Sequence, residues 1–213
     1  SLELSDEQSN TYPSLLVLSA KGIHHASHRV WQPNRTIELH ELHWGDDDVQ
    51  AKVEWLLNVV RNGGCVCWIT NTVKRAQRIF NTLLKAEPSC VDLDLLHSQF
   101  PLDERQKREA ELTGKYGPRK DESVDKRPVS GIIIGTQVLE QRLDLDFDVM
   151  VSDLAPVDLL LQRSGRLHRH NRERPAIHNV PRLYVNFEVT SDGILKRGTD
   201  HTIYAEFIMH RTQ

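Results

Sequence analysis

Residues 162–170 read QRSGRLHRH, and their side-chain types and spacing suit the binding of a polyanion. On an α-helix, Gln162, Arg166 and Arg169 stand at positions i, i+4 and i+7 and fall within about 60° of one another. Planar guanidinium groups match phosphate oxygens, and Gly165 removes a side chain where a ligand must come close. A solvated basic helix end, stabilised by about 0.3–1 kcal/mol per cation, is the alternative. The spacing favours phosphate recognition over that alternative.

Polar side chains also follow two apolar runs at the points where predicted strands end. Asn71 and Thr72 precede a predicted helix, whose N-terminus can bind a phosphate. His97 and Ser98 follow the next strand and therefore share the same edge of a parallel sheet. Arg105, one turn into the next helix, can neutralise a further phosphate. Turn formation is the alternative for each residue alone, but together they predict one phosphate-contacting edge.

The elements that must position these side chains alternate between strands and helices. We predict strands at 15–18, 36–42, 65–70, 91–98, 130–136, 147–154 and 182–189, and helices at 46–64, 72–86, 102–114 and 157–169. Such alternation with short links favours an α/β fold in which helices cover both faces of a parallel sheet. Functional groups gather at the carboxyl ends of the strands in such sheets.

Composition limits the class of protein. The chain has 213 residues, a net charge of −3 and 38% hydrophobic residues, which suits a soluble domain. No apolar run approaches the ~18 residues that span a bilayer, so we expect no membrane contact. Three cysteines argue against a disulfide framework and favour a cytoplasmic protein. Cys65 and Cys67 are expected to be buried thiols on one strand face. Zinc at these cysteines, or a metal at the histidines of residues 22–28, is the weaker alternative, and we predict no metal ligands.

Two motifs resemble a known family. QRSGRLHR is similar to the sixth motif of superfamily-two helicases, QRxGRxxR, and GTQVLEQRLDLDFD (residues 135–148) resembles the fifth. With NTVKRAQ and LHSQF-PLDER, in this order, they resemble the CRISPR-associated helicase–nuclease of type I systems over roughly residues 60–175. The resemblance implies a second RecA-like domain of an ATP-dependent motor that tracks along single-stranded DNA in the 3′ to 5′ direction.

The resemblance also implies roles for the residues of the sixth motif. Arg166 and Arg169 would act as arginine fingers on the γ-phosphate of ATP, and Gln162 would orient the phosphates or the attacking water. Arg163 would hold the interface between domains at the nucleotide. Fingers of this sort contribute about 10³–10⁵ in rate because they meet charge that develops in the transition state.

The fifth motif implies a second set of contacts. Thr136 would give its hydroxyl and backbone N–H to a nucleic-acid phosphate, while Gln141 and Asp144 would lie near the nucleotide and couple the two sites. The alternative is that Thr136 caps a turn and that Asp144 and Asp146 are surface charges. Arg142 stands where the family has a small residue, so its long side chain must point away or contact a phosphate itself.

The 213 residues hold no GxxxxGK[ST] phosphate loop and no Asp-Glu metal box. In the family these belong to the first RecA-like domain, which would bind most of the ATP and its Mg²⁺. We therefore expect a fragment with no ATPase activity of its own. Its expected partners are that first domain and an HD nuclease domain, on the same or a separate chain, single-stranded DNA and the Cascade complex.

The expected organisation is a linker at 1–14, a RecA-like domain at 15–190 and the start of an accessory segment at 191–213. Within the RecA-like domain, residues 114–128 are expected to form an exposed, charged loop whose composition is typical of disordered segments. Two rival functions remain open. One is the second domain of another superfamily-two translocase, in restriction or repair. The other is a RecA-like domain kept as a non-catalytic docking module.

Overall fold

The computed structural model describes residues 14–19, 22–27, 36–86, 88–119, 126–140 and 143–190. The chain divides into two compact units, residues 1–35 and 36–213. In the first unit, β1 (Ser14–Ser19) and β2 (Gly22–Ser27) pair in antiparallel register, with Leu16 opposite His25. Strand β1 confirms the prediction at 15–18, whereas β2 was not predicted. Nearly all of the predicted linker and the whole predicted accessory segment lie outside the described residues.

The second unit is built on a six-stranded sheet in which every neighbouring pair of strands is parallel. Its strands are β3 (Glu38–Leu42), β4 (Gly64–Ile69), β5 (Asp92–Leu96), β6 (Ser130–Gly135), β7 (Val149–Asp153) and β8 (Arg182–Asn186). They lie in the order β3-β8-β7-β4-β6-β5, so β4 is central. Each of these six strands was predicted, and the α/β fold class is confirmed.

In the described part of the chain, four helices accompany the sheet: α1 (Val49–Val60), α2 (Val73–Lys85), α3 (Leu102–Tyr116) and α4 (Val157–Ser164). Short 3-10 turns occur at Gln137–Glu140 and Ala176–His178. No helix in the described part of the chain is long and apolar enough to cross a membrane.

Helices cover both faces of the sheet, as the alternation along β4 demands. Val66 and Trp68 pack into a core with the buried residues of α1 and α2. Cys65 and Cys67 point to the opposite core, which includes Leu112 of α3. Both cysteines are free and buried, and burial raises the pKa of each thiol to about 12. They are therefore inert apolar side chains at neutral pH.

Several features of these elements differ from the sequence prediction. Helix α3 passes through Gly114, which has open space around it, and ends at Tyr116 with Gly117 as its C-cap. The two extra helical residues include the buried Tyr116, whose hydroxyl donates to Asp94 Oδ2 at 2.8 Å. Strand β3 was expected to be half-buried but is an exposed edge strand, because only β8 pairs with it among the described residues. Helix α4 also ends early, and this changes the site.

Candidate nucleotide and nucleic-acid site

The residues after α4 leave the helix through a turn, in which Arg166 N donates to Arg163 O at 2.9 Å and Leu167 N donates to Ser164 O at 3.0 Å. The helix ends at Ser164 with Gly165 as its C-cap, and Leu167 forms a parallel bridge to Phe147. Phe147 N donates to Arg166 O at 2.9 Å, and His168 N donates to Phe147 O at 3.0 Å. The predicted helix through Arg169 is therefore wrong, because the chain turns after Ser164 and both Arg166 O and His168 N then pair with the backbone of Phe147. We call residues 166–169 the finger segment.

Arg166 is anchored inside the protein. Its side chain is almost fully buried, and Nη2 donates to Glu140 O at 2.5 Å and to Leu143 O at 3.3 Å. Burial lowers the pKa of the guanidinium from its usual value. Its Nε is also buried and has no hydrogen-bond partner among the described residues. A buried donor without a partner costs about 1–3 kcal/mol, so an anion within its reach would be favoured.

Arg169 is the accessible arginine of the finger segment. Its Nε lies 2.6 Å from Asp144 Oδ1, and both side chains are 45% exposed. His170 Nε2 lies 3.2 Å from the same oxygen. The backbone N–H of Arg169 donates to Asp146 Oδ1 at 2.7 Å, which fixes where the side chain begins. Because exposed ion pairs contribute only about 0–1 kcal/mol, the guanidinium can leave Asp144 at little cost.

The other residues predicted to contact the nucleotide differ in their exposure to solvent. Gln162 is exposed on the last turn of α4. Arg163 is fully buried, with Nε donating to Glu140 Oε1 at 2.8 Å, so it reaches no surface. Gln141 and Arg142 lie outside the described residues. The structure thus brings Arg169 and Asp144 together next to Arg166, and it places Arg163 behind them in the core.

The predicted phosphate-contacting residues meet at the carboxyl edge of the sheet. Asn71 follows β4 and donates from its backbone N to Asp153 Oδ2 at 3.0 Å and from Nδ2 to Leu154 O at 2.8 Å. Thr136 follows β6 and is buried, with its N–H donating to Leu96 O at 3.2 Å. Thr72 caps α2, accepting from the backbone N of the residue three positions on at 3.2 Å.

The β5 end of this edge carries the remaining predicted contacts. His97 is buried and stacks on Phe100, with ring centroids 4.1 Å apart. Burial lowers the pKa of its imidazole, which is therefore neutral near pH 7. Ser98 is exposed, and Arg105 lies one turn into α3 with Nε 3.4 Å from Glu109 Oε1. A neighbouring carboxylate thus offsets part of the charge of Arg105.

A buried charge cluster behind the finger segment was missed from the sequence. We call it the aspartate–arginine cluster; its members are Asp146, Asp148, Arg127, Arg172 and Arg174. Asp146 is fully buried, with Arg172 Nε at 2.8 Å and Arg174 Nη2 at 2.9 Å, so it is not a surface charge. Asp148 binds Arg127 Nη2 at 2.9 Å and Arg174 Nη1. The alternation of apolar and acidic residues in LDLDFD was the available sequence signal.

A parallel sheet of this order, with a finger segment bridged to the loop before β7 and polar residues along the carboxyl edge, defines the second RecA-like domain of a helicase. The chain belongs to the family described as CRISPR-associated nuclease/helicase Cas3, C-terminal, whose model matches residues 62–172. The resemblance found in the motifs is thereby confirmed.

Individual relatives agree with this family. The CRISPR-associated nuclease/helicase Cas3 of Streptococcus thermophilus is 38% identical over 210 residues, which cover 96% of this chain and 21% of that protein. The crystal structure of T. fusca Cas3 with AMPPNP matches with a TM-score of 0.82 and 29% identity, over 94% of this chain and 24% of that one. A chain of a CRISPR RNA-guided surveillance complex, pre-nicking, gives 0.76 and 29%, over 95% and 26%. This chain thus spans about a quarter or less of each protein.

Proposed function

We propose that this chain is the C-terminal motor half of an ATP-dependent single-stranded DNA translocase that acts in type I CRISPR interference. It supplies arginine fingers to a nucleotide held by a P-loop domain and binds the DNA backbone along its carboxyl edge. The observation that carries the proposal is the finger segment, in which Arg166 is held by the backbone carbonyls of Glu140 and Leu143 and Arg169 lies at the surface beside it.

The finger role follows from what each arginine can do in this position. Arg169 exchanges a weak, exposed pair with Asp144 for a phosphate, and Arg166 has a buried Nε that one anion oxygen would satisfy. Gln162, exposed beside them, has an amide that can orient a phosphate or a water. ATP and Mg²⁺, bound mainly by a P-loop domain, would supply the phosphoryl chemistry. Arginine charges that are already in position before the reaction need no rearrangement of the protein when negative charge develops on the phosphate in the transition state.

The carboxyl edge supports a DNA contact that does not depend on a basic surface. Hydroxyl groups at Thr72, Thr136 and Ser98 can bind phosphate oxygens, as many protein contacts to nucleic-acid backbones do, whereas the Thr136 N–H already donates to Leu96 O. A domain with a net charge of −3 can therefore still bind single-stranded DNA. We expect its affinity to be weak and to fall with salt, since each neutralised phosphate releases counterions.

Partners are proposed from likeness to larger assemblies. The matched T. fusca protein was crystallised with AMPPNP, and the surveillance-complex chain belongs to an RNA-guided assembly. These likenesses support a first RecA-like domain, an HD nuclease domain and a Cascade-type complex as partners of this chain.

The DNA contact is tested with a charge placed at either edge of the sheet. Ser98→Glu puts a carboxylate beside the proposed DNA path, whereas Asn62→Glu puts the same charge at an exposed position before β4, on the opposite edge. Repulsion of about 1 kcal/mol from one phosphate at about 4 Å predicts a roughly fivefold weaker Kd for Ser98→Glu only. The assay is fluorescence anisotropy of a labelled oligo-dT at low salt. Equal Kd values for the two variants would remove the carboxyl edge from the DNA path.

A further inference from the structure

Glu140 and Arg163 join the two proposed sites through the core of the domain. We propose that they are positioning residues, which hold the DNA-contacting edge at Asn71 and the finger segment at Arg166 in one rigid unit. A nucleic-acid contact at the edge then changes the environment of the Arg166 guanidinium. This inference rests on the proposed function, because it concerns how the two parts of that site influence each other.

The pair itself is buried and closely held. Arg163 has no exposed surface, and Glu140 is 7% exposed. Glu140 Oε1 lies 2.8 Å from Arg163 Nε and 2.5 Å from Nη2, so one carboxylate oxygen faces two donors. Apolar side chains of similar volume are often as stable as a buried ion pair. Stability alone therefore does not explain why this pair is charged. A charged, hydrogen-bonded pair also fixes the relative positions of the two side chains, and this is the role we assign to it.

One side of the pair leads to the finger segment. The backbone carbonyl of Glu140 accepts from Arg166 Nη2 at 2.5 Å. Glu140 ends the 3-10 turn that begins after Thr136, and Leu139 N donates to Thr136 O within that turn at 3.0 Å. Glu140 therefore contacts Arg163 through its side chain and Arg166 through its backbone carbonyl.

The other side of the pair leads to the carboxyl edge. Arg163 Nη1 donates to Ser152 Oγ at 2.5 Å and to the backbone carbonyl of Asp153 at 3.1 Å. The Asp153 carboxylate in turn accepts from Asn71 N at 3.0 Å. The same carboxylate accepts from Trp68 Nε1 at 3.1 Å and from Arg75 Nη1 at 2.9 Å, which leaves it little freedom. Asn71 and Arg166 are thus joined by an unbroken series of buried contacts.

The first experiment needs no DNA and uses the whole chain. Glu140→Gln keeps the shape of the side chain and removes its charge. We expect amide hydrogen exchange, measured by NMR, to rise about a hundredfold or more at Asn71 and His168 relative to Leu112 in α3, because breaking one partner of a buried ion pair costs roughly 3–5 kcal/mol. Tyr116→Phe, which removes a buried hydrogen bond outside this series, is the matched control and should raise exchange at Asn71 no more than at Leu112. Uniform exchange across the domain in Glu140→Gln overturns the inference.

The second experiment adds oligo-dT and follows the Arg166 Nε–Hε resonance. In the unaltered chain, DNA should shift this resonance together with the Asn71 amide. In Glu140→Gln, the Asn71 amide should still shift and the Arg166 resonance should stay in place. An equal Arg166 shift in both proteins contradicts the inference. If DNA shifts neither Asn71 nor Thr136, the proposed DNA contact fails, and the exchange experiment alone decides on the positioning pair.

Discussion

Asp144 and Asp146 stand two residues apart in LDLDFD, and the same substitution at each should have very different effects. The Asp146 carboxylate is fully buried, with Arg172 Nε at 2.8 Å and two contacts from Arg174 Nη2 at 2.9 and 3.0 Å. Asp146→Asn removes the charge that compensates these arginines and turns an amide donor toward other donors. Breaking one partner of a buried pair costs roughly 3–5 kcal/mol.

Asp144→Asn is the matched control. Its carboxylate is 45% exposed and pairs with an equally exposed Arg169, so its loss should cost about 0–1 kcal/mol. The assay is urea unfolding of the purified chain, followed by tryptophan fluorescence, since Trp68 is fully buried. Domains of this kind unfold with only about 5–15 kcal/mol, so Asp146→Asn should lower the urea midpoint by a large fraction.

The comparison has a clear negative outcome. Equal losses of free energy of unfolding at the two positions, or a larger loss at Asp144, would refute the reasoning that the aspartate–arginine cluster is a buried structural unit. The slope of the unfolding free energy with urea should be the same in all three proteins, because the surface exposed on unfolding does not change.

Two further predictions concern acid stability and the cap of α2. Burial alone raises the pKa of Asp148, but Arg127, the Cys65 N–H and Arg174 outweigh it and hold that pKa below the usual value. The ionised Asp148 carboxylate therefore stabilises the fold above the unfolded pKa of about 3.9, and this stabilisation is lost as pH falls through the folded pKa. Tm should fall more steeply below about pH 5 in the unaltered chain than in Asp148→Asn. Parallel Tm profiles of the two proteins would contradict this. Thr72→Ala should lower the free energy of unfolding by about 1 kcal/mol, with Thr72→Ser close to the unaltered value in the same urea assay; an unchanged midpoint in Thr72→Ala would show that the cap contributes nothing.

The strand and helix order of the second unit could be predicted because apolar periodicity is a local property. CVCWIT and GIII are buried on both faces, and amphipathic patterns separate them. That order also predicts that Asn71, His97 and Thr136 lie at one edge of the sheet. The strand neighbours depend on non-local packing, which one sequence read along its length does not contain.

The finger segment shows where local patterns fail. Gln162, Arg166 and Arg169 have helical spacing, but a turn followed by an isolated bridge is equally open to these residues. Phe147, nineteen residues upstream of Arg166, decides between them by supplying backbone partners. The burial of Arg163 was unpredictable for the same reason, because its partner Glu140 lies in the preceding motif.

The central claim is that this chain supplies arginine fingers to a nucleotide bound elsewhere, and steady-state ATP hydrolysis tests it most directly. The test protein is the S. thermophilus relative with its matching 210-residue segment replaced by this chain. Arg182, a surface arginine that pairs with Glu38 at 3.0 Å near the opposite edge, provides the control. With saturating oligo-dT, Arg169→Ala should lower kcat by about 10³-fold or more and Arg182→Ala should leave it unchanged. A kcat for Arg169→Ala equal to that of the unaltered chimera would contradict the account.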